Sequence, residues 1–177
     1  RWNTGGVALR LGVLACQVLP PIILVLPLFG MFLTAGLMQS RIGLIVAHLT
    51  ICLPFVSWML VSFFEGDVAR LEEAARVDGA TRWQAFIKIA VPVAAPGLLA
   101  AGLLGFILSW NEFLFALVLS GPGTQTLPVG LAGRETHAGV EIAPPAAATV
   151  VSLLPVFLLL PFLRKHLIKG LSLGALK

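Results

Sequence analysis

Residues 65–92 read EGDVARLEEAARVDGATRWQAFIKIAVP, a hydrophilic island between long apolar stretches, and the rest of the chain is organised around it. It holds Glu65, Asp67, Glu72, Glu73 and Asp78, most of the chain's eight acidic residues, together with Arg70, Arg76, Arg82 and Lys88. Within it, Val68 to Val77 is expected to form a short helix, with Leu71, Ala74, Ala75 and Val77 apolar and with Glu72–Arg76 and Glu73–Arg76 at ion-pair spacing. Asp78-Gly79 ends that helix, because Gly accepts a left-handed backbone without steric cost. Thr81 fits the N-cap of a second helix and Gln84 lies three residues on, as in a capping box. Trp83, Phe86, Ile87 and Ala90 would then make one apolar stripe. Two short helices meeting at a Gly corner form a knob, and Ala74, Ala75, Gly79 and Ala80 leave room for another protein to approach closely.

Outside the island the chain is apolar. Of its 177 residues 58% are hydrophobic and 11% charged, and the mean hydropathy is +0.99, a composition that excludes an ordinary soluble domain. The expected fold is all-α: a polytopic helical membrane protein with about four spans, each long enough to cross about 30 Å of hydrocarbon at 1.5 Å per residue. The alternation a β-barrel needs is missing. The net charge of +4 is spread over loops and does not point to nucleic acid.

The first span is expected from Val7 to about Leu33, with Pro20-Pro21 and Pro27 bending or unwinding it, as a gating helix or as a bent packing helix. The second runs from about Ile42 to Phe64 and contains His48 and Pro54; a lone His there reads as a packing residue. Cys16 and Cys52, both within spans, read as small hydrophobic fillers. The third span is expected from Val93 to Leu119, an outer loop from residue 120 to 142, and the fourth from about Ala146 to Leu163, opened by Pro144-Pro145. A basic tail follows to Lys177. In this arrangement Arg1, Arg10, Arg70, Arg76, Arg82, Lys88, Arg164, Lys165, Lys169 and Lys177 fall on one side, and Arg41 and Arg134 on the other. The positive-inside rule therefore places the island and both chain ends in the cytoplasm.

Near the far end of the third span stand Trp110, Asn111 and Glu112. A Glu in lipid costs about 3 kcal/mol or more, so Glu112 should face the bundle interior or water. An aromatic face, an amide and a carboxylate can hold a sugar; equally, they can be a helix-end polar cluster that fixes packing. Consecutive residues do not all face one side.

The pattern Glu73-Ala74-Ala75, three residues, Gly79, then Ile89 and Pro92 resembles the EAA loop of permease subunits in binding-protein-dependent ABC importers. The extended form EEAARVDGATRWQAFIKIAVPVAAPGL, with SWNEFLFAL and TLPVGL downstream, is similar to the carbohydrate branch and most of all to the maltose-type second permease. The resemblance implies a type I importer transmembrane domain, of which residues 1–177 would be the C-terminal two thirds. Residues 65–92 would be the cytoplasmic coupling loop, with Glu73, Ala74, Ala75, Asp78, Gly79, Ala80 and Thr81 meeting an ATPase. It further implies an ATP-binding subunit dimer, a second permease and an extracytoplasmic solute-binding protein as partners, and a carbohydrate as the solute. The tail GLSLGALK resembles the short family tail that reaches toward the ATPases.

No catalytic, cofactor or metal site is expected. The P-loop pattern GxxxxGK[ST] does not occur, and His48, His137 and His166 are scattered over a span, an outer loop and the tail. The rival reading is a secondary transporter or channel with Glu112 as an intramembrane ion or proton site. It requires buried charge pairs and internal repeats, and the sequence shows one intramembrane acid with no intramembrane basic partner and no convincing repeat.

Overall fold

The computed structural model describes residues 11–13, 15, 17–64, 67–132 and 143–174; at residues 62, 143–145 and 162–174 it describes the backbone alone. Arg1, Arg10, Cys16, Glu65, Arg134, His137 and Lys177 lie outside these residues, as do the side chains of Arg164, Lys165, His166 and Lys169.

Every regular element among the described residues is helical. After helical residues 11–13, 15, 17 and 18 come α1 (Pro21–Thr34), α2 (Arg41–Phe64), α3 (Asp67–Val77) and α4 (Arg82–Ala85), the last passing through a π-helical turn (Phe86–Ala90) into α5 (Val91–Trp110). Then come α6 (Leu114–Leu119), α7 (Leu127–Ala132) and α8 (Ala143–Gly174). The all-α membrane architecture expected from composition is the one found. Arg41–Val61 and Arg82–Trp110 are each long and apolar enough to cross a bilayer, with mean hydropathy 2.1 in both. Only 6% and 28% of these windows are buried within the chain, which leaves most of their apolar surface for lipid or partner subunits.

Three spans differ from their expected limits, and proline or helix-end chemistry accounts for each. The first is broken at Pro20, whose backbone is extended (φ −58°, ψ 131°), and α1 starts afresh with Pro21 in its first turn, where a missing N–H costs nothing. At 14 residues α1 is about 21 Å long, too short to cross hydrocarbon unaided. The third span begins earlier than expected, at Arg82, and runs unbroken to Trp110. Pro92 lacks an N–H and would crowd the carbonyl four residues back, and the wider π turn just upstream relieves that conflict. This span also ends earlier: the chain turns at Asn111 and restarts as α6. The last helix extends past the expected Leu163 to Gly174, with Pro155 and Pro161 inside it. Pro144 and Pro145 fall in its first turn, as anticipated.

The π turn also corrects the expected stripe. It puts Ala85 and Ala90 both inward and fully buried, while Trp83 and Ile87 stay exposed, so Trp83, Phe86, Ile87 and Ala90 do not share one face. Beyond it the inward face of the rod is built from small residues: Ala90, Ala94, Gly97, Ala101 and Gly105. This seam lets α5 approach α2 closely. A Cβ added at Gly97 would clash with the face of the Phe63 ring at Cγ and Cδ1, and one at Gly105 would lie 2.8 Å from Val56 Cγ2. Small residues suit such contacts in membranes, where close packing replaces the hydrophobic drive. The Cys52 thiol reaches the Gly105 carbonyl across the same seam at 3.6 Å.

At one end of the bundle α1, α2 and α6 enclose a core of Val25, Phe32, Ala47, Phe115 and Leu119, and Leu44, Ala116 and Val129 join α7 to it. The turn between α1 and α2 is clamped to the segment after α6: Gln39, at φ +56°, donates its N–H to the Leu119 carbonyl at 2.9 Å. At the other end Val68, Ala90 and Ala94 bind α3 to the long rod, with Phe64, Phe86 and Leu98 around them. Residues 120–142, expected as an outer loop, contain the helical turn α7, and residues 133–142 lie outside the described residues.

Candidate functional site

The island forms a capped two-helix knob. Helix α3 ends in a Schellman motif: the Ala80 N–H donates to the Ala75 carbonyl at 3.0 Å, the Gly79 N–H to the Arg76 carbonyl at 3.2 Å, and Gly79 has φ +94°. Two residues later Thr81 opens α4. The Gln84 N–H donates to Thr81 Oγ1 at 3.3 Å, and the Thr81 N–H donates to Gln84 Oε1 at 2.9 Å. A cap of this type contributes about 1 kcal/mol. The corner is thus held by backbone and capping bonds on both sides, without help from another chain.

Of the residues assigned to coupling, Glu73, Ala74, Asp78, Gly79 and Thr81 are exposed, and Ala75 and Ala80 are half-buried under the corner. The structure gathers all seven on one protrusion. A Cβ at Gly79 would meet nothing within 4 Å. Around it, Leu71, Val77, Trp83 and Ile87 are exposed apolar side chains, Val77 at 83% and Trp83 at 71%. Of the acidic residues expected to pair with Arg76, Glu72 is 7% exposed and Glu73 is exposed, and an ion pair one turn earlier on α3 joins exposed Asp67 and Arg70 at 3.8 Å. Glu72 lies one turn from Val68 on the inward face, a position the charge pattern alone did not reveal.

The knob is stacked onto the membrane rods. Phe86 lies parallel to Phe64 at 6.3 Å and edge-on to Trp83 at 6.1 Å. The corner is thus joined to α2 and α5 by these rings and by the Val68–Ala90–Ala94 cluster.

The second candidate, Trp110, Asn111 and Glu112, sits where α5 breaks into α6, and its three side chains part company. Trp110 donates from Nε1 to the Ser152 carbonyl of α8 at 2.9 Å and stacks on Phe106. Asn111 is exposed, and its side-chain amide donates back to the Ile107 carbonyl at 2.8 Å, finishing α5. Glu112 turns inward and caps α6, accepting from the N–H groups of Phe115 at 2.8 Å and Ala116 at 3.0 Å. The helix-break geometry follows: an amide closes one helix and a carboxylate opens the next.

Glu112 has a partner that the sequence reading missed. His48 Nε2 of α2 stands 3.5 Å from Glu112 Oε2, and His48 Nδ1 shares a 2.9 Å hydrogen bond with Ser109 Oγ. The sequence carried one signal for it, namely that a lone His and a lone acid in apolar spans each need a polar neighbour, but 64 residues separate them. Among the described residues no cluster of three or more His, Cys, Asp or Glu side chains could hold a metal ion.

The model of the binding-protein-dependent transport system inner membrane component family matches residues 4–173. The chain is similar to the sulfoquinovosyl glycerol transport system permease protein SmoH of Agrobacterium fabrum, at 38% identity over 93% of this chain and 58% of the relative. It is similar at 38% identity to the trehalose transport system permease protein SugB of Mycobacterium tuberculosis, over 89% of this chain and 59% of the relative. It is also similar at 33% identity to the trehalose/maltose transport system permease protein MalG of Thermococcus litoralis, over 98% and 63%. The chain spans about three fifths of the length of these relatives. A helical bundle of apolar spans, matched almost end to end by that one family model, belongs to the family of binding-protein-dependent transport system inner membrane components.

Proposed function

We propose that the chain is part of the permease subunit of an ATP-driven importer for a sugar or oligosaccharide, forming half of the translocation pathway in the inner membrane. The observation that carries this is the self-capped knob at Gly79, stiff on its own and anchored by aromatic stacking to the two helices that are long and apolar enough to cross a bilayer. Residues 65–92 are the cytoplasmic coupling loop in this reading, and the ATP-binding dimer docks against Glu73, Ala74, Ala75, Asp78, Gly79, Ala80 and Thr81. Hydrolysis belongs to those ATPases and not to this chain. Both chain ends share the cytoplasmic side, as the distribution of Lys and Arg supports. A second permease completes the pathway, and a solute-binding protein meets the outer loop at residues 120–142. The sugars in the relatives' names support a carbohydrate solute.

Closure of the ATPase dimer would move the coupling knobs, and because α3, the π turn and α5 pack as one unit, the rods would tilt with them. The rival reading gains the His48–Glu112 pair. It is weakened by the use to which Glu112 is put, since both carboxylate oxygens already accept backbone N–H groups of α6. Uptake of labelled oligosaccharides into cells separates the two. With the partner ATPase inactivated in its nucleotide site, uptake is expected to fall to the level of cells lacking this chain. Uptake that persists and collapses only with an ionophore would overturn the importer reading.

The polar residues at the break make a second test. Asn111 is the exposed polar group at the break, so Asn111→Ala is expected to reduce uptake several-fold with the complex assembled. Glu112→Ala strips the acceptor from two α6 N–H groups and is expected to lower both uptake and complex stability, the latter by about 1–3 kcal/mol. Wild-type uptake by Asn111→Ala would remove that residue from the pathway.

A further inference from the structure

Besides the apolar packing of α6 on α2, the break between α5 and α6 makes polar contact with α2 through the His48 imidazole. His48 is mostly buried, and its two nitrogens meet different kinds of partner. Nδ1 faces the Ser109 hydroxyl, which can donate to it or accept from it, so this bond survives whether the ring is neutral or charged. Nε2 is fully buried, makes no hydrogen bond among the described residues, and has the Glu112 carboxylate at 3.5 Å. One side of the ring is therefore indifferent to its charge, and the other side faces an anion.

We propose that His48 is a positioning residue whose charge state sets how firmly Glu112 holds the α5–α6 break against α2. The inference rests on the importer reading for its consequence, since that break is where the long rod ends and the outer segment begins, but not for its chemistry. A proton taken from water adds to the imidazole, Ser109 turns to accept from Nδ1, and an N–H on Nε2 now points a full positive charge at Glu112 Oε2. No covalent bond other than N–H is made. Glu112 meanwhile keeps its two bonds to Phe115 and Ala116, so the charged pair draws α2, α5 and α6 together. When the ring is neutral, only a weak contact remains at Nε2. The other titratable group at this cluster is the Cys52 thiol, one turn along α2 and engaged with the Gly105 carbonyl. Helices α1 and α6 and residues 146–161 of α8 bring no ionisable side chain to it.

The test is residue-resolved hydrogen exchange on the full permease complex in lipid nanodiscs, without substrate or nucleotide. After correction for intrinsic chemistry, the Phe115 and Ala116 amides are expected to exchange roughly fivefold more slowly near pH 5.5 than near pH 8, the low end of ordinary coupling between sites. His48→Gln, which keeps an amide donor but cannot change charge, should flatten this dependence. If that variant fails to assemble, Glu112→Gln is measured in its place and should be flat as well. A wild-type complex with no pH dependence at these amides, or either variant retaining the full slope, overturns the proposal. Failure of the importer reading would appear elsewhere, as uptake indifferent to the ATPase, and would leave the exchange slope unchanged.

Discussion

Gly97→Leu is expected to abolish accumulation of folded protein in the membrane, whereas Gly102→Leu, five residues along the same helix, should be tolerated. The difference is one of face. A Cβ at Gly97 would overlap the first ring atoms of Phe63, close to the α2 backbone, where the ring cannot simply swing aside. A Cβ at Gly102 meets nothing within 4 Å. Overpacking by a methylene or two costs about 1–3 kcal/mol, and a whole isobutyl group at the tightest point of the α2–α5 seam should exceed that range. At Gly102 the same change gains about 0.5–1 kcal/mol of helix propensity and adds apolar surface toward lipid or partner. Membrane yield and the thermal midpoint of the purified complex measure both effects. Phe63→Ala in the Gly97→Leu background should restore part of the loss, because residues in contact are energetically coupled. Equal yields for Gly97→Leu and Gly102→Leu would show that the seam does not hold these helices together.

What the sequence made legible follows from the range of the interactions. The knob was readable almost residue by residue, because the Gly79 corner and the Thr81–Gln84 box are local devices that close within a few residues. The number and character of the apolar stretches were readable from hydropathy. Their limits were not, because Pro20 breaks one span while Pro92 is carried inside another, and a π turn decides the second case. That turn also re-phased the face of the rod, which a fixed 3.6-residue period could not foresee. Trp110, Asn111 and Glu112 read from the sequence as either a sugar-holding group or a helix-end polar cluster, and being consecutive they diverge to different partners. The His48–Glu112 pair joins two spans distant in sequence, and no local pattern encodes it.

Gly79→Val is expected to uncouple ATP hydrolysis from uptake, leaving hydrolysis measurable and transport reduced tenfold or more. Gly79 sits at φ +94°, where a β-branched side chain is a steric outlier costing about 1–3 kcal/mol. No other part of the described residues lies within 4 Å of a Cβ there, so the damage within the subunit centres on the corner: the Schellman bonds from Ala80 and Gly79 loosen, and the axis of α4 shifts against α3. In the proposed complex the ATPase surface approaches this spot, and a valine there would also hold the docked surfaces apart. The two effects act on the same contact, and tenfold corresponds to only about 1.4 kcal/mol. The Val68–Ala90–Ala94 packing and the α2–α5 seam lie away from the corner, so the membrane bundle should assemble normally. Thr126→Val serves as the control, since the Thr126 hydroxyl is buried with no hydrogen-bond partner among the described residues and an isosteric methyl should leave coupling intact. ATPase association, hydrolysis and labelled-sugar uptake are measured in the same membranes. If Gly79→Val couples as the wild type does, the knob is a connector between spans, and force from the ATPases must enter the bundle elsewhere.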